Sequence, residues 1–261
     1  MLNVKGFLFS YKLNISLDAP VQDHCFTLRC LPQSDTRQRI KALEYMVTPS
    51  DFLSLSKDQW GNLLVYGSFR GESSAFRVEV NGVAETGLSP WVPAIHPERD
   101  RIFAIPTSMT APDSVLTEYA AIITGEHPLE SAEQVMALLH TTMHYVPGST
   151  NIHTTAAQAF RQGQGVCQDF AHVMLALLRL RGIPCRYVTG MLPGEGRSHA
   201  WVEVLFHGGW YGFDPTNLCS CAGEYIKLSH GRDAQDCAIN RGIFRGGANQ
   251  ISEESVIVTE R

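Results

Sequence analysis

Cys167 is the residue with the plainest chemical potential in this chain. It lies in Gly165-Val166-Cys167-Gln168-Asp169-Phe170-Ala171-His172, a glycine-containing loop that runs into an apolar segment. Phe170, Val173, Met174, Leu177 and Leu178 recur at i, i+3, i+4, i+7 and i+8, one wide helical face. Gly182 and Pro184 then supply a left-handed cap and a residue that cannot continue the ladder. The spacing predicts a central helix with Cys167 in its first turn. Unpaired N–H groups and the partial positive charge at a helix N-terminus favour a thiolate over a thiol, and leave amide donors where an oxyanion can form. The competing role is that of a small buried thiol.

A second partner is His199. In His199-Ala200-Trp201-Val202-Glu203-Val204-Leu205-Phe206, strand alternation puts Ala200, Val202, Val204 and Phe206 on a core face and His199, Trp201 and Glu203 on the other. A histidine there suits a general base or an imidazolium partner, or is simply a surface residue. The next strand, Trp210-Tyr211-Gly212-Phe213-Asp214-Pro215-Thr216, carries Asp214. A two-residue turn at Gly208-Gly209 would place Asp214 opposite Glu203, on the correct face but four residues from His199. A turn centred nearer Phe206-His207, or a bulge, is needed to close that gap. Otherwise Asp214 is an aspartate before proline that forms a turn.

Other clusters point to structure. Asp169, in the first helical turn, favours the dipole. His172 lies off the Cys167 face, and Glu203 either lines the site or belongs to a solvated face. His140 and His144, i and i+4 on one predicted helix near His153, have a zinc-compatible spacing but lack the metalloprotease glutamate. Cys219, Cys221 and Cys237 form no second close pair, so no metal and no cofactor is expected.

The elements that must position these groups follow from composition and pattern. A length of 261 residues suits one large or two modest domains. Residues 1–108 read as a β domain of short runs such as Cys25–Cys30, Asn62–Tyr66 and Ala75–Val80, with Asn81-Gly82 as a hairpin signal, which points to a sandwich. Prolines 90, 93, 97, 106 and 112 mark a connector. From 109 to 261, Asp113 caps a helix to about Thr124, Ser131-Ala132-Glu133-Gln134 has the capping-box pattern, and Thr154 or Thr155 opens a short helix to Phe160. After the Cys167 helix, strands are expected at 186–190, 199–206, 210–213 and 255–258.

Net charge of −5 without basic runs argues against nucleic acid or an anionic membrane as partner. No run reaches the roughly 18 apolar residues of a membrane helix. Met1–Ser10 lacks a signal peptide's pattern, and seven scattered cysteines resemble reduced thiols, so a cytoplasmic location is expected.

Taken together, the Cys167 motif, Arg181-Gly182-Ile183-Pro184-Cys185-Arg186-Tyr187-Val188-Thr189-Gly190, His199–Val204 and Phe213-Asp214-Pro215-Thr216 resemble the core of the bacterial transglutaminase-like superfamily. Gly231–Asp236 with Arg241–Gly246 resembles its C-terminal signature, and residues 28–80 its N-terminal region. The resemblance implies an α+β fold: a papain-like core, with the cysteine helix packed on an antiparallel sheet, preceded by a β-sandwich. It also implies a triad with Cys167 as nucleophile, His199 as base and Asp214 as orienter. The implied chemistry is acyl transfer from a peptide or protein amide through a thioester, ending in hydrolysis or transamidation. One oxyanion donor is the Cys167 N–H; Gln164, Gln162 and Trp201 are candidates for the second. The rival from another class is a non-catalytic interaction module on the same fold. Oligomeric state is left open.

Overall fold

The computed structural model of the chain describes residues 4–221 and 223–261. Met1, Leu2 and Asn3, where the opening stretch read above begins, lie outside the described residues.

The first part of the chain contains β1 (Lys5–Leu28), β2 (Gln38–Thr48), β3 (Phe52–Lys57), β4 (Leu63–Phe69), β5 (Ser73–Thr86) and β6 (Trp91–Pro93). A short helix, α1 (Pro97–Asp100), and a 3₁₀ turn at Arg101–Ala104 lead to α2 (Ser114–Ala121), α3 (Pro128–Thr142), β7 (His144–Tyr145), α4 (Ala156–Gln162), β8 (Gln164–Gly165) and α5 (Cys167–Leu180). The remaining strands are β9 (Cys185–Met191), β10 (Gly194–Gly196), β11 (His199–Phe206), β12 (Gly209–Asp214), β13 (Cys219–Ser220), β14 (Ile226–Gly231), β15 (Asn240–Arg245) and β16 (Gln250–Glu260). The class is α+β, as expected.

β1 alternates strictly, with Phe7, Phe9, Tyr11, Leu13 and Ile15 buried. Its first half pairs with β5 on one side and β16 on the other. Near Asp23, at φ +50°, the register shifts and the strand bends, and its second half pairs with β4 and β15. Phe26 of that second half lies 4.7 Å from Phe76 of β5, ring to ring, so the two halves of β1 face each other across one apolar core. The two layers therefore share a strand.

Asn81-Gly82 does not make the expected hairpin. Both residues sit inside β5, with Gly82 paired to Phe9 of β1 and Leu43 of β2. A Cβ on Gly82 would approach the Phe9 ring to 2.4 Å and the Ala42 carbonyl to 2.5 Å. The glycine marks close backbone approach at a bulge in β2, not a reversal.

The second sheet runs β13-β12-β11-β9-β14, with β6 added beside β12. Buried α5 lies on its Ala200, Val202, Val204 and Phe213 face, with α2, α3 and α4 packed around it. Leu175, Leu177 and Leu178 are fully enclosed, each contributing about 1.5–3 kcal/mol by burial. The chain crosses the expected 108/109 boundary in both directions: β6 joins the second sheet, while β10, β15 and β16 join the first.

The helix ends match the sequence expectations in part. Asp113 caps α2 through the Leu116 N–H, and Thr155 forms a capping box with Gln158 at α4. Ser131 is not a cap: α3 begins at Pro128, His127 accepts from the Glu130 N–H, and Ser131 is buried within the helix. A proline at the first turn sets the start earlier than the serine pattern implied. α3 stops at Thr142, so His140 and His144 do not share a helix.

Among the described residues no helix is long and apolar enough to cross a membrane.

Candidate active site

Cys167 is the first residue of α5, half-buried, and its backbone N–H has no acceptor within the helix. The helix entry is held by Asp169. Its Oδ2 accepts from the Val166 N–H at 2.8 Å and from the Thr150 hydroxyl at 2.6 Å. Asp169 is thereby turned back onto the loop, and burial raises its carboxyl above the usual range despite these bonds. His172 is fully buried and accepts from the Ala234 N–H at 3.1 Å through Nε2. Burial holds it neutral, down to about 4, with Asp233 opposing and Arg179 adding to that effect.

The β11–β12 hairpin decides whether His199 and Asp214 meet. Phe206 pairs with Gly209, so the turn residues are His207 and Gly208, both at positive φ (45° and 75°). This is one residue earlier than a Gly208-Gly209 turn. Moving the centre by one residue moves each partner by two, so Asp214 stands opposite Trp201, two residues from His199 instead of four. The side chains bridge that diagonal. His199 Nε2 lies 2.7 Å from Asp214 Oδ2.

Asp214 is fully buried and heavily bonded. Oδ2 also accepts from the Tyr225 hydroxyl and the Asn217 amide, each at 2.7 Å, and Oδ1 accepts from the Thr216 and Asn217 N–H groups at 2.9 and 3.1 Å. Burial would raise its carboxyl, but the bonds from His199, Tyr225 and Asn217 outweigh it and hold the group below its ordinary value. Cys167 lies near enough to His199 to act on the charge of its ring. Burial disfavours its charge, yet Asp214 and Cys167 together raise it to about 9. With Nε2 engaged by Asp214, Nδ1 is the nitrogen left for the sulfur. His199 and Asp214 are thus directly bonded, with Cys167 beside the histidine.

The remaining expected residues separate. Trp201 is fully buried, its ring against Tyr225 at 5.1 Å and packed so closely over Gly190 that a Cβ there would meet it at 2.4 Å. Gln162 is exposed and donates to the Ser149 carbonyl at 3.0 Å. Gln164 is exposed in β8, two residues before Val166. Glu203 neither lines the site nor faces solvent. It is fully buried, bonded to Arg186 at 2.6 Å and Lys227 at 2.7 Å, with Arg37 at 3.3 Å. Residues 33–38 and β14 cover that face of the sheet, which strand alternation alone could not reveal. Burial opposes its charge, but the three cations win and lower it to about 2.

Sequence reasoning missed Tyr225, Asn217 and Thr150. Asn217, three residues after Asp214, carries a turn signal; Tyr225 and Thr150 carry none. Of the thiols considered as soft ligands, Cys219 lies 3.3 Å from the Tyr225 hydroxyl, while Cys221 and Cys237 are buried. Among the described residues no group of three or more His, Cys, Asp or Glu side chains is placed to hold a metal ion.

The model of the transglutaminase-like superfamily matches residues 117–215, a span that includes Cys167, His199 and Asp214, and the model of the bacterial transglutaminase-like N-terminal region matches residues 9–85. The uncharacterized protein ML0607 of Mycobacterium leprae is 32% identical over 245 residues, covering 85% of this chain and 88% of its own. The uncharacterized protein Rv2569c of Mycobacterium tuberculosis is 29% identical over 265 residues, with 87% and 84% covered. The chain belongs to the transglutaminase-like superfamily. Its fold is that of a crystal structure of a candidate cysteine protease from Cytophaga hutchinsonii, at a TM-score of 0.81 and 24% identity, covering 99% of this chain and 91% of that one. The helical layer around α5 and the second sheet are accordingly a papain-like transglutaminase core, joined to an N-terminal sheet region.

Proposed function

We propose that this protein is a cysteine-dependent acyl-transfer enzyme that hydrolyses a peptide or other amide bond. The observation that carries the reading is the bond between Asp214 and His199, with the Cys167 thiol at the N-terminus of α5 near enough to act on the charge of the histidine. In this mechanism the Cys167 sulfur attacks the amide carbonyl carbon, and the oxyanion is met by the Cys167 N–H. His199, carrying the thiol's proton, passes it to the departing amine as the C–N bond breaks, leaving a thioester. Water, deprotonated by the now neutral His199, attacks the thioester and releases a carboxylic acid and the regenerated thiol. Asp214 keeps the ring oriented and stabilises its cation.

For the second oxyanion donor, Gln162 is engaged elsewhere and Trp201 is enclosed, which favours Gln164. Replacing it with alanine should lower kcat by about 10²–10³-fold. The substrate is a peptide or protein, not nucleic acid. The seven free thiols support a cytoplasmic location. If an amine replaces water at the thioester, the same residues perform transamidation.

The test is iodoacetamide labelling of Cys167 across pH, read by peptide mass spectrometry in the wild type and in His199→Ala. Fast labelling below pH 8 that disappears in the variant supports the assignment. Labelling no faster than at the other cysteines, or unchanged in the variant, removes it and leaves the non-catalytic binding module as the better reading.

A further inference from the structure

On the face of the second sheet away from α5 lies a cavity of about 490 Å³, within the range of small-molecule sites (about 300–1,000 Å³). It is enclosed by residues 33–38, the turn around Trp60, the 92–103 segment and strands β9, β12 and β14. Trp210, which lines it, is four residues along β12 from Asp214, about 13 Å at strand spacing. The cavity is thus separate from the Cys167 site.

Its walls are aromatic. Trp60 lies 5.1 Å from Phe103, and Phe103 lies 5.3 Å from Trp210, which also carries the Arg186 guanidinium over its ring at 4.2 Å. Its polar groups are incompletely matched. Among the described residues, Trp60 Nε1, Asp100 Oδ2 and His230 Nδ1 are all buried without a hydrogen-bond partner. All three residues line this one cavity. Asp100 is only 8% exposed, and burial raises its carboxyl above the ordinary range, with Arg186, His96 and Arg99 offsetting this only in part.

The charges are also unequal. Lys57, Arg99, Arg186 and Lys227 line the cavity with Asp35 and Asp100, while Arg37 and Glu203 stand behind. That is five cations against three carboxylates. Lys227 donates to Glu203, leaving further N–H groups on its ammonium. A buried polar atom left unpaired costs about 1–3 kcal/mol, so three in one enclosure call for a common partner.

A ligand that is only an anion would answer the cations and the Trp60 N–H but leave Asp100 worse off. A ligand that is only an amine would answer Asp100 and add to the excess of positive charge. A molecule bearing both groups close together satisfies both sides. We infer that this cavity is a binding site for a free α-amino acid, its carboxylate toward Lys227 and the Trp60 N–H, its ammonium toward Asp100, and its side chain against the Trp60–Phe103–Trp210 wall. The inference stands apart from the hydrolase reading, since none of these residues belongs to the Cys167 site.

The experiment is thermal denaturation of the full chain with each common α-amino acid, and with the matching amine lacking the carboxylate and acid lacking the ammonium. At least one amino acid should raise Tm saturably with a Kd below about 1 mM. Its amine and its acid should each bind at least tenfold more weakly. Asp100→Asn and Trp60→Phe should each weaken binding at least tenfold, and prior alkylation of Cys167 should leave it intact. The proposal is overturned if no amino acid shifts Tm, if the acid or amine analogue binds as well, if binding survives both substitutions, or if alkylating Cys167 abolishes it. Should Asp100→Asn fail to fold, Trp60→Phe and the analogue series decide the question.

Discussion

Asp214 and Glu203 are two buried carboxylates on one face of neighbouring strands, and they behave as opposites. Each is wholly enclosed, and each is charged because its bonds outweigh desolvation. Glu203 is surrounded by three cations, two of them guanidiniums that do not release a proton at physiological pH. Asp214 faces one imidazole, a hydroxyl, an amide and two backbone N–H groups, and only the imidazole exchanges protons readily. The difference teaches what separates a scaffold from a reactive pair. A carboxylate saturated by permanent charge fixes strands together, whereas one bonded to a single labile cation transmits its field to a neighbouring sulfur.

The sharpest way to break this comparison is Asp214→Asn. It should slow Cys167-dependent turnover by about 10²–10⁴-fold, as expected for loss of the group that orients the histidine. Because Asp214, together with Cys167, raises His199 to about 9, the wild-type rate should fall as pH rises through about 9, and in the variant that limb should move to lower pH. A pH–rate profile of both proteins checks this. Glu203→Gln should do the reverse: it strands Arg186, Lys227 and Arg37, costing about 3–5 kcal/mol of stability in urea denaturation, while Cys167 labelling in the folded fraction keeps its rate.

Acid should separate the regions further. Glu203 titrates near 2 when folded against an ordinary 4.5, so the stability it supplies is complete above 4.5 and is lost as pH falls toward 2. His172 titrates near 4 against an ordinary 6.5, so its contribution is complete above 6.5 and is lost as pH falls toward 4. Tm measured against pH should decline across both windows, and His172→Gln should flatten the upper one. The smallest effect should come from Lys227→Met. Arg37 and Arg186 still compensate Glu203, so the cost should be about 1–2 kcal/mol at pH 7. Since burial brings Lys227 down to about 8, the cost should shrink by pH 9, where the lysine has already lost its charge.

The Cys167 end was the more legible of the two in the sequence. The α5 periodicity, its Gly182 stop and the β11 alternation are strong local signals, and β11 begins and ends where they place it. The hairpin was harder, because His207-Gly208 and Gly208-Gly209 are both plausible turn pairs and only the latter looks glycine-favoured. Glu203 was illegible in principle: its three partners lie 17, 24 and 166 residues away. Asn81-Gly82 misled for a related reason, since the same glycine that permits a tight turn also permits a second backbone to press against the strand.

The shared strand β1 has a kinetic consequence. It precedes the other described strands in the chain, yet its ladder with β16 joins Phe7 to Glu260 and continues to Leu17 and Gln250. Closing such a loop must wait for nearly all of the chain, and topologies dominated by distant pairings are slow to form. Until then one edge of β1 is open and apolar side chains such as Phe7, Phe9 and Tyr11 lack their final cover, an invitation to pair with another nascent copy. Yield during refolding should therefore fall steeply with protein concentration, while the finished sheet, closed by its last strand, unfolds slowly.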